Sequence, residues 1–389
     1  MRYAHIVGWG SYIPRRVMTN DELALIVDTT DEWVYTRTGI RERHIASERE
    51  TTATLAFEAA ARAIAVAGIP PHQVEMIIVA TSTPEYIFPS TACRVQDYLG
   101  ATRAGAFDLS AACSGFVYGL SMAANAIACG AVENAVVIGA ETMSRVLDWQ
   151  DRATCILFGD GAGAVALKGS SIPGGVLASS LRSDGSGGNL LSLPAVYHTP
   201  LPILGPEYMG NGQADKRIQM NGRQIFRFAT QVVSEVIEET LDRAGLTLAE
   251  VDLIVPHQAN SRIIDAAAKK LKIEPERFYT NLEKYGNTSA ASIPIALVEA
   301  VRDGRLQANH NVIFVGFGGG LTWAASVVKW DVTPPPEMTF MDKEWKRARY
   351  MLARGRSKLR RWGRVIGDKL AGSPTPDARL KDATPKRIE

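Results

Sequence analysis

The chain has 389 residues, 46% hydrophobic and 22% charged, with a net charge of +2 at pH 7. That is the balance of a soluble globular protein with a sizeable core, built as one large domain or two intimate ones. Four cysteines (Cys93, Cys113, Cys129, Cys155) without CxxC spacing exclude a disulfide framework, and no apolar run is long enough for a membrane span, so a cytoplasmic protein without a secretory leader is expected.

In chain order, a strand from Tyr3 leads through a loop to a helix capped at Thr19-Asn20 and running to about Val27. Asp31-Glu32-Trp33 and Arg37 follow, with Arg41 and Arg43. An exposed Trp beside an Arg either stacks on an adenine and pairs with phosphate or forms an ordinary amphipathic surface patch. Ala53–Ala67 reads as a helix closed by Gly68, Val74–Thr81 as a buried strand, and Thr91–Leu99 as a helix. The stretch Ala106–Phe116 runs from a strand through small residues into a helix opened by Cys113 and stopped at Gly130. Cys113 reads either as a small buried hydrophobe, as most free cysteines do, or as a nucleophile whose thiolate the helix dipole favours. Another strand, Ala135–Gly139, completes an alternation that predicts a layered α/β architecture.

The second half repeats this plan. Val74–Val79 resembles Val251–Val255 and Val137-Ile138-Gly139 resembles Phe314-Val315-Gly316, both offset by 177 residues. The Cys113 helix matches one from about Ala290 to Asp303, so Cys113 and the Asn287-Thr288-Ser289 segment should meet near a pseudo-twofold axis. The plan divides the chain into an amino-terminal half (1–170) with Cys113, a loop-rich connection (171–222), a carboxy-terminal half (223–330) with His257 and Asn287, and a basic extension (331–389). Long surface loops are expected over Arg182–Asn189 and Pro194–Gly212, and a helix from Gly222 to Ala244.

His257 directly follows the strand Val251–Val255, at the strand end where α/β folds place ligands; His5, His44, His72, His198 and His310 read as structural. Asn287 leaves a strand and either caps the helix it opens or carries chemistry. The chemistry that needs a sulfur, an imidazole and a carboxamide at such junctions is thioester condensation. Cys113 holds an acyl group covalently, and neutral His257 and Asn287 donate hydrogen bonds to the enolate formed when a malonyl thioester loses CO2. Backbone N–H groups of Cys113 and of Gly319, within Gly318-Gly319-Gly320, would form a second oxyanion hole. Gly159–Gly163 lacks nucleotide-loop spacing, and no His, Cys or Asp pair has metal-ligand spacing.

Five ordered motifs now carry a family resemblance: Asp108-Leu-Ser-Ala-Ala-Cys-Ser-Gly115, Phe158-Gly-Asp-Gly-Ala-Gly163, Pro256-His-Gln-Ala-Asn260, Tyr285-Gly-Asn-Thr-Ser289 and Phe317-Gly-Gly-Gly-Leu-Thr322. Met1–Trp330 resembles β-ketoacyl-acyl-carrier-protein synthase III of the thiolase superfamily. The resemblance implies a duplicated, five-layered α-β-α-β-α fold, a homodimer and a Cys113–His257–Asn287 triad. It implies coenzyme A or phosphopantetheine bound at Trp33, Arg37 and Arg152, and acyl carrier protein docked on Arg262, Arg223 and Arg227. It further implies an acyl pocket of Met143, Phe158 and Phe317, with Phe88 reaching across from the partner subunit. No resident cofactor, metal or nucleic-acid partner is expected. The activity so implied condenses an acyl-CoA primer with malonyl-carrier protein and initiates fatty acid synthesis. The alternatives are polyketide or quinolone priming, head-to-head acyl condensation and a 3-hydroxy-3-methylglutaryl-type addition; non-decarboxylative routes need a carboxylate base, for which Glu85 is nearest in sequence.

Family members usually stop near residue 330, so the extension is additional. From Asp331 onward there are 15 Lys and Arg against 8 Asp and Glu, a balance of +7 against −5 for the rest. After Pro334-Pro335-Pro336, the residues Trp345, Ala348, Leu352, Leu359, Trp362, Ile366 and Leu370 recur at helical intervals. The basic amphipathic helix so predicted could lie on an anionic membrane surface, dock an acidic carrier protein, or pack on the enzyme itself, with a disordered end from Gly372.

Overall fold

The computed structural model describes residues 2–195 and 217–332, together with Gly355, Leu359, Trp362, Gly363 and Ile366, which are helical. Residues 196–212 of the expected long loop, the proline break, the chain from Gly372, and Trp345, Ala348, Leu352 and Leu370 lie outside the described residues.

Strand β1 (Tyr3–Tyr12) is followed by β2 (Arg16–Thr19), α1 (Asn20–Leu23), α2 (Asp31–Thr38) and β3 (Glu42–Ile45). Thr19 caps α1 in a capping box with Glu22, but the helix ends at Leu23 instead of near Val27. Helix α2 is an addition to the sequence reading. The Thr30 hydroxyl accepts the Trp33 N–H, Asp31 and Glu32 fill the first turn, and Gly39 ends the helix in the left-handed region. The spacing of four places Trp33 and Arg37 on one face. Arg43 is fully buried instead of belonging to a surface patch; its guanidinium donates to Asn20 Oδ1 and to the carbonyls of Met18 and Ile156.

The first half continues with α3 (Thr52–Ala67), β4 (Met76–Ala80), α4 (Thr91–Leu99), β5 (Gly105–Leu109), α5 (Gly115–Ala128), β6 (Asn134–Thr142), α6 (Arg152–Cys155) and β7 (Asp160–Ser170). The second contains β8 (Gly175–Ser183), the short pair β9 (Leu191–Ser192) and β10 (Gln219–Met220), α7 (Gly222–Ala244), β11 (Leu253–Pro256), α8 (Ser261–Leu271), α9 (Leu282–Tyr285), α10 (Ser292–Arg302), β12 (His310–Gly318) and β13 (Thr322–Trp330). The sheets run β1-β7-β6-β4-β5 and β8-β13-β12-β11. In each, one pairing is matched and parallel (β4 with β6, β11 with β12) and the two pairings beyond it (β6-β7-β1, β12-β13-β8) are antiparallel, while β5 adds a further parallel strand at the edge of the first sheet. The match corrects the reading of 171–222 as loop-rich throughout: Gly175–Ser183 is the counterpart of β1 and the edge of the second sheet. Arg182 and Ser183 belong to that strand, and a short 3-10 helix occupies Gly185–Leu190. The counterpart of β5 has shrunk to one parallel bridge between Ile254 and Phe278.

Helices α3 and α4 cover the outer face of the first sheet, α7 and α8 that of the second, and α5 and α10 lie between the sheets, giving five layers. The central layer buries Phe116 of α5 against Phe314 of β12, edge to face at 6.3 Å, and each such ring contributes roughly 1.5–3 kcal/mol by burial. Every residue of β6 is buried, as an inner strand covered on both faces requires.

The duplication is exact to the residue where it matters for chemistry. Short 3-10 turns, Ala112–Ser114 and Ser289–Ala291, lead into α5 and α10 at the same offset of 177. The first residues of both turns, Ala112 and Ser289, take left-handed φ values of 47° and 49°. Each turn sits on a glycine of the opposite half. A Cβ on Gly139 would fall 2.0 Å from the Ala290 carbonyl oxygen, and one on Gly316 would fall 3.0 Å from Ser114 Cα. Among the described residues no helix is long and apolar enough to cross a membrane.

Candidate active site

Cys113 occupies the middle of the turn before α5, and the equivalent turn of the other half meets it. The Sγ of Cys113 lies 3.4 Å from the Ser289 hydroxyl, which places the starts of the paired helices together as the duplication requires. Asn287 lies just upstream of Ser289, in an extended segment that bridges Phe158; the expected strand before it is instead the short helix α9. Its Oδ1 accepts the Ser289 N–H at 2.8 Å. The carboxamide therefore does form a cap-like bond, and with its oxygen so engaged the amide presents its NH2 as the donating end.

His257 follows β11, held by its own N–H to the Val315 carbonyl at 2.7 Å. Its Nδ1 is 2.7 Å from the hydroxyl of Ser292, the first residue of α10. That hydroxyl also accepts the Gln258 N–H at 3.4 Å, which leaves His257 Nδ1 in place to accept its hydrogen. The pairing puts the imidazole hydrogen on Nε2. Phe317 packs edge-on against the ring at 5.1 Å. Burial holds the His257 pKa down to about 3, so the ring is neutral and its Nε2–H is a donor. One short segment, Asn287–Ser292, thus contains the carboxamide, touches the sulfur through Ser289 and orients the imidazole through Ser292.

Burial also pushes the Cys113 thiol up to about 12, against the expectation that the helix dipole favours its thiolate. Desolvation of a small charge costs more than a helix terminus returns. Beyond Ser289 stands Glu141 at the end of β6: the Ser289 hydroxyl donates to Glu141 Oε1 at 3.0 Å. That carboxylate also accepts from Thr81, from the Ser82 N–H and from Thr83, and burial raises its pKa.

Gly318 ends β12 against Cys113: a Cβ there would lie 2.7 Å from the Cys113 backbone nitrogen. Gly319 follows it, with its own Cβ direction toward the Leu191 carbonyl. Met143 and Phe158 are buried with Leu147 and Ile218 in one apolar cluster, whereas Phe88 stands 85% exposed beside Tyr86 and Ile87. Glu85 is engaged through one oxygen: its Oε1 pairs with Arg94 at 2.9 Å and accepts the Ala53 N–H.

Trp33, Arg37 and Arg152, far apart in sequence, assemble into one stack. The guanidinium carbons of Arg37 and Arg152 lie 4.2 and 4.6 Å from the indole centroid. The histidine motif reaches this stack through Asn260, whose side chain caps α8 and donates to the Arg37 carbonyl at 2.9 Å. Gln258 is a brace, donating to the carbonyls of Pro256 and Tyr279 and accepting from the Asn281 N–H. Arg262 lies 5.2 Å over the ring of Phe226, beside the exposed Arg223 and Arg227 on α7. Sequence reasoning missed Glu141, Ser289 as a contact of the sulfur, and Ser292. A carboxylate directly after the apolar run Ala135–Ala140 was the available signal for the first.

Fold and site together define a thiolase-like condensing enzyme, an acyl-transferring catalyst. Residues 107–185 match the model of the 3-oxoacyl-[acyl-carrier-protein] synthase III family and residues 241–330 that of its C-terminal domain. The chain is 49% identical to β-ketoacyl-[acyl-carrier-protein] synthase III of Desulfitobacterium hafniense over 327 residues, 84% of this chain and 97% of the relative. The 3-oxoacyl-[acyl-carrier-protein] synthase III structure from Aquifex aeolicus superposes with a TM-score of 0.77 at 45% identity, over 84% of this chain and 99% of that one. The corresponding Pseudomonas aeruginosa structure gives 0.78 at 40%, over 86% and 100%. The chain belongs to the β-ketoacyl-[acyl-carrier-protein] synthase III family.

Proposed function

We propose that the protein condenses an acyl-CoA primer with malonyl-[acyl-carrier protein] to a 3-oxoacyl thioester, with loss of CO2, and so initiates fatty acid synthesis. The observation that carries the reading is the Asn287–Ser292 segment, which ties the sulfur, the imidazole and the carboxamide to a single turn. Cys113 takes the acyl group from coenzyme A, while its own N–H and that of Gly319 hold the developing oxyanion. After exchange of thioesters, His257 Nε2–H and Asn287 Nδ2–H donate to the malonyl thioester oxygen. The enolate they stabilise loses CO2 in forming and then attacks the acyl-enzyme. Both donors are neutral, so each favours the enolate without protonating it. Coenzyme A and phosphopantetheine are carriers of the substrates, and the reaction calls for no resident cofactor.

The Trp33 stack receives the adenine and phosphates of coenzyme A, and Arg223, Arg227 and Arg262 receive the acidic carrier protein. The working unit is a homodimer. In support, Tyr86, Ile87 and Phe88 expose a run of large apolar side chains, and β5 is an edge strand with Phe107 exposed. In the dimer Phe88 bounds the partner's acyl pocket. The extension contacts anionic membrane: Leu359, Trp362 and Ile366 are helical, one helix face apart and exposed, within a segment of net positive charge. Four free thiols suit a cytoplasmic location.

The test offers labelled acetyl-CoA and then malonyl-carrier protein to purified protein. Label on Cys113 followed by CO2 release supports the reading. Label without decarboxylation, or no label on folded wild-type protein across several acyl lengths, rejects it. Cys113→Ala is expected to remove the label and leave the melting temperature nearly unchanged.

A further inference from the structure

The sulfur must lose a proton before it can attack, and nothing so far assigns the acceptor. His257 is unsuited, because its Nε2 already carries hydrogen and its Nδ1 is taken by Ser292. The contact the sulfur does make leads elsewhere: Cys113 Sγ to Ser289 Oγ at 3.4 Å, and Ser289 Oγ to Glu141 Oε1 at 3.0 Å. All three residues are buried.

We propose that Glu141 is a positioning residue for the nucleophile, accepting the Cys113 proton through the Ser289 hydroxyl and returning it when the product leaves. The inference rests on the acyl-transfer reading of Cys113. In the first half-reaction the S–H bond breaks as an O–H bond forms at Ser289, and Ser289 passes its original proton to Oε1. The sulfur pair bonds to the acyl carbon, and the coenzyme A sulfur leaves as thiolate and takes a proton from water. In the second, the malonyl carboxylate departs as CO2 and the resulting carbanion attacks the acyl-enzyme. Cys113 is expelled as thiolate and recovers its proton along the same path. One negative charge is present in the buried pair before and after each transfer, so no second ion is ever desolvated.

The surroundings fit a carboxyl group that changes protonation state. The groups facing Glu141 are Thr81, Ser82 and Thr83 from the segment after β4, Ser289 from the turn before α10, and Cys113 from the turn before α5. Of these, Cys113 is the one that titrates. Its burial and the nearby carboxylate both oppose a free thiolate, which is the arrangement expected when charge moves between the two and does not accumulate. The left-handed turn at Ser289 holds the hydroxyl between the two groups.

The test compares wild type, Glu141→Gln and Ser289→Ala as full-length protein. Alkylation of Cys113 by iodoacetamide is followed from pH 6 to 10, alongside acyl labelling from acetyl-CoA, decarboxylation of malonyl-CoA and thermal unfolding. Wild type is expected to alkylate with little pH dependence across neutrality. Both variants are expected to lose at least tenfold near pH 7 and then to gain about tenfold per pH unit, following the thiol's own ionisation. Acylation should fall at least tenfold more than decarboxylation. Wild-type pH profiles in a folded variant overturn the proposal, as does an equal loss of both half-reactions. Should Glu141→Gln fail to fold, Ser289→Ala decides on the same readouts. A shifted alkylation profile in protein that takes no acyl label supports the relay and rejects the condensing reading.

Discussion

The Ser292 hydroxyl lies 2.7 Å from His257 Nδ1, and with the Gln258 N–H donating to that hydroxyl the contact favours the imidazole tautomer that carries its hydrogen on Nε2. The ring is therefore oriented by a residue outside the proposed triad. Ser292→Ala removes that bond and frees the ring to change tautomer. Decarboxylation of malonyl-CoA is expected to fall roughly 10²-fold, the size of losing one oxyanion donor. Acyl labelling of Cys113 should fall much less, and CO2 release with a label count on one sample measures both. Equal losses would place Ser292 in packing alone.

The same ring makes the fold sensitive to acid. His257 titrates near 3 in the folded protein and near 6.5 when unfolded. Between these values the unfolded chain binds a proton that the folded chain refuses, so the contribution is complete above about pH 6.5 and lost as pH falls. The slope reaches about 1.4 kcal/mol per pH unit. His257→Asn is expected to flatten the fall in melting temperature between pH 6.5 and 5 relative to wild type. Parallel curves would show that the imidazole protonates freely in the native state.

Trp33, with the guanidiniums of Arg37 and Arg152 over its ring, should act on binding more than on chemistry. Trp33→Ala is expected to raise KM for acetyl-CoA about tenfold with kcat changed less than about twofold, the pattern of lost uniform binding. Steady-state kinetics with acetyl-CoA and with a short pantetheine thioester check it, since the short donor should be indifferent to the change.

Removal of 333–389 should spare turnover with soluble coenzyme A substrates while abolishing co-sedimentation with phosphatidylglycerol vesicles. Full-length protein carrying Trp362→Glu should lose vesicle binding in the same way. Retained binding by the truncated chain would move any lipid contact onto the catalytic body.

Much of this was legible in the residues. Periodicity and stop signals located α3, α4 and α7, and the spacing of 177 forecast that the turn of Cys113 would meet that of Ser289. What sequence could not supply was anything that depends on burial. Helix termini are local, so the dipole at Cys113 was visible, while the desolvation that overrides it arises from residues spread over both halves. Glu141 lay unmarked near the end of a mostly apolar strand because its partners come from two distant segments, Thr81–Thr83 and the turn at Ser289. Helix α2 was missed because its short run is polar around most of its circumference and is fixed by the Thr30 cap.

Gly139 and Gly316 each make room in one half for the reactive turn of the other. Neither half, expressed alone, would possess a seat for its own chemistry, since the cradle for Cys113 is made by Gly316 and that for the Asn287–Ser292 segment by Gly139. Catalytic competence is consequently a joint property of the two repeats, gained at docking. A methyl group on either glycine would act as a wedge between them, disabling condensation by displacing the backbone of the opposite turn.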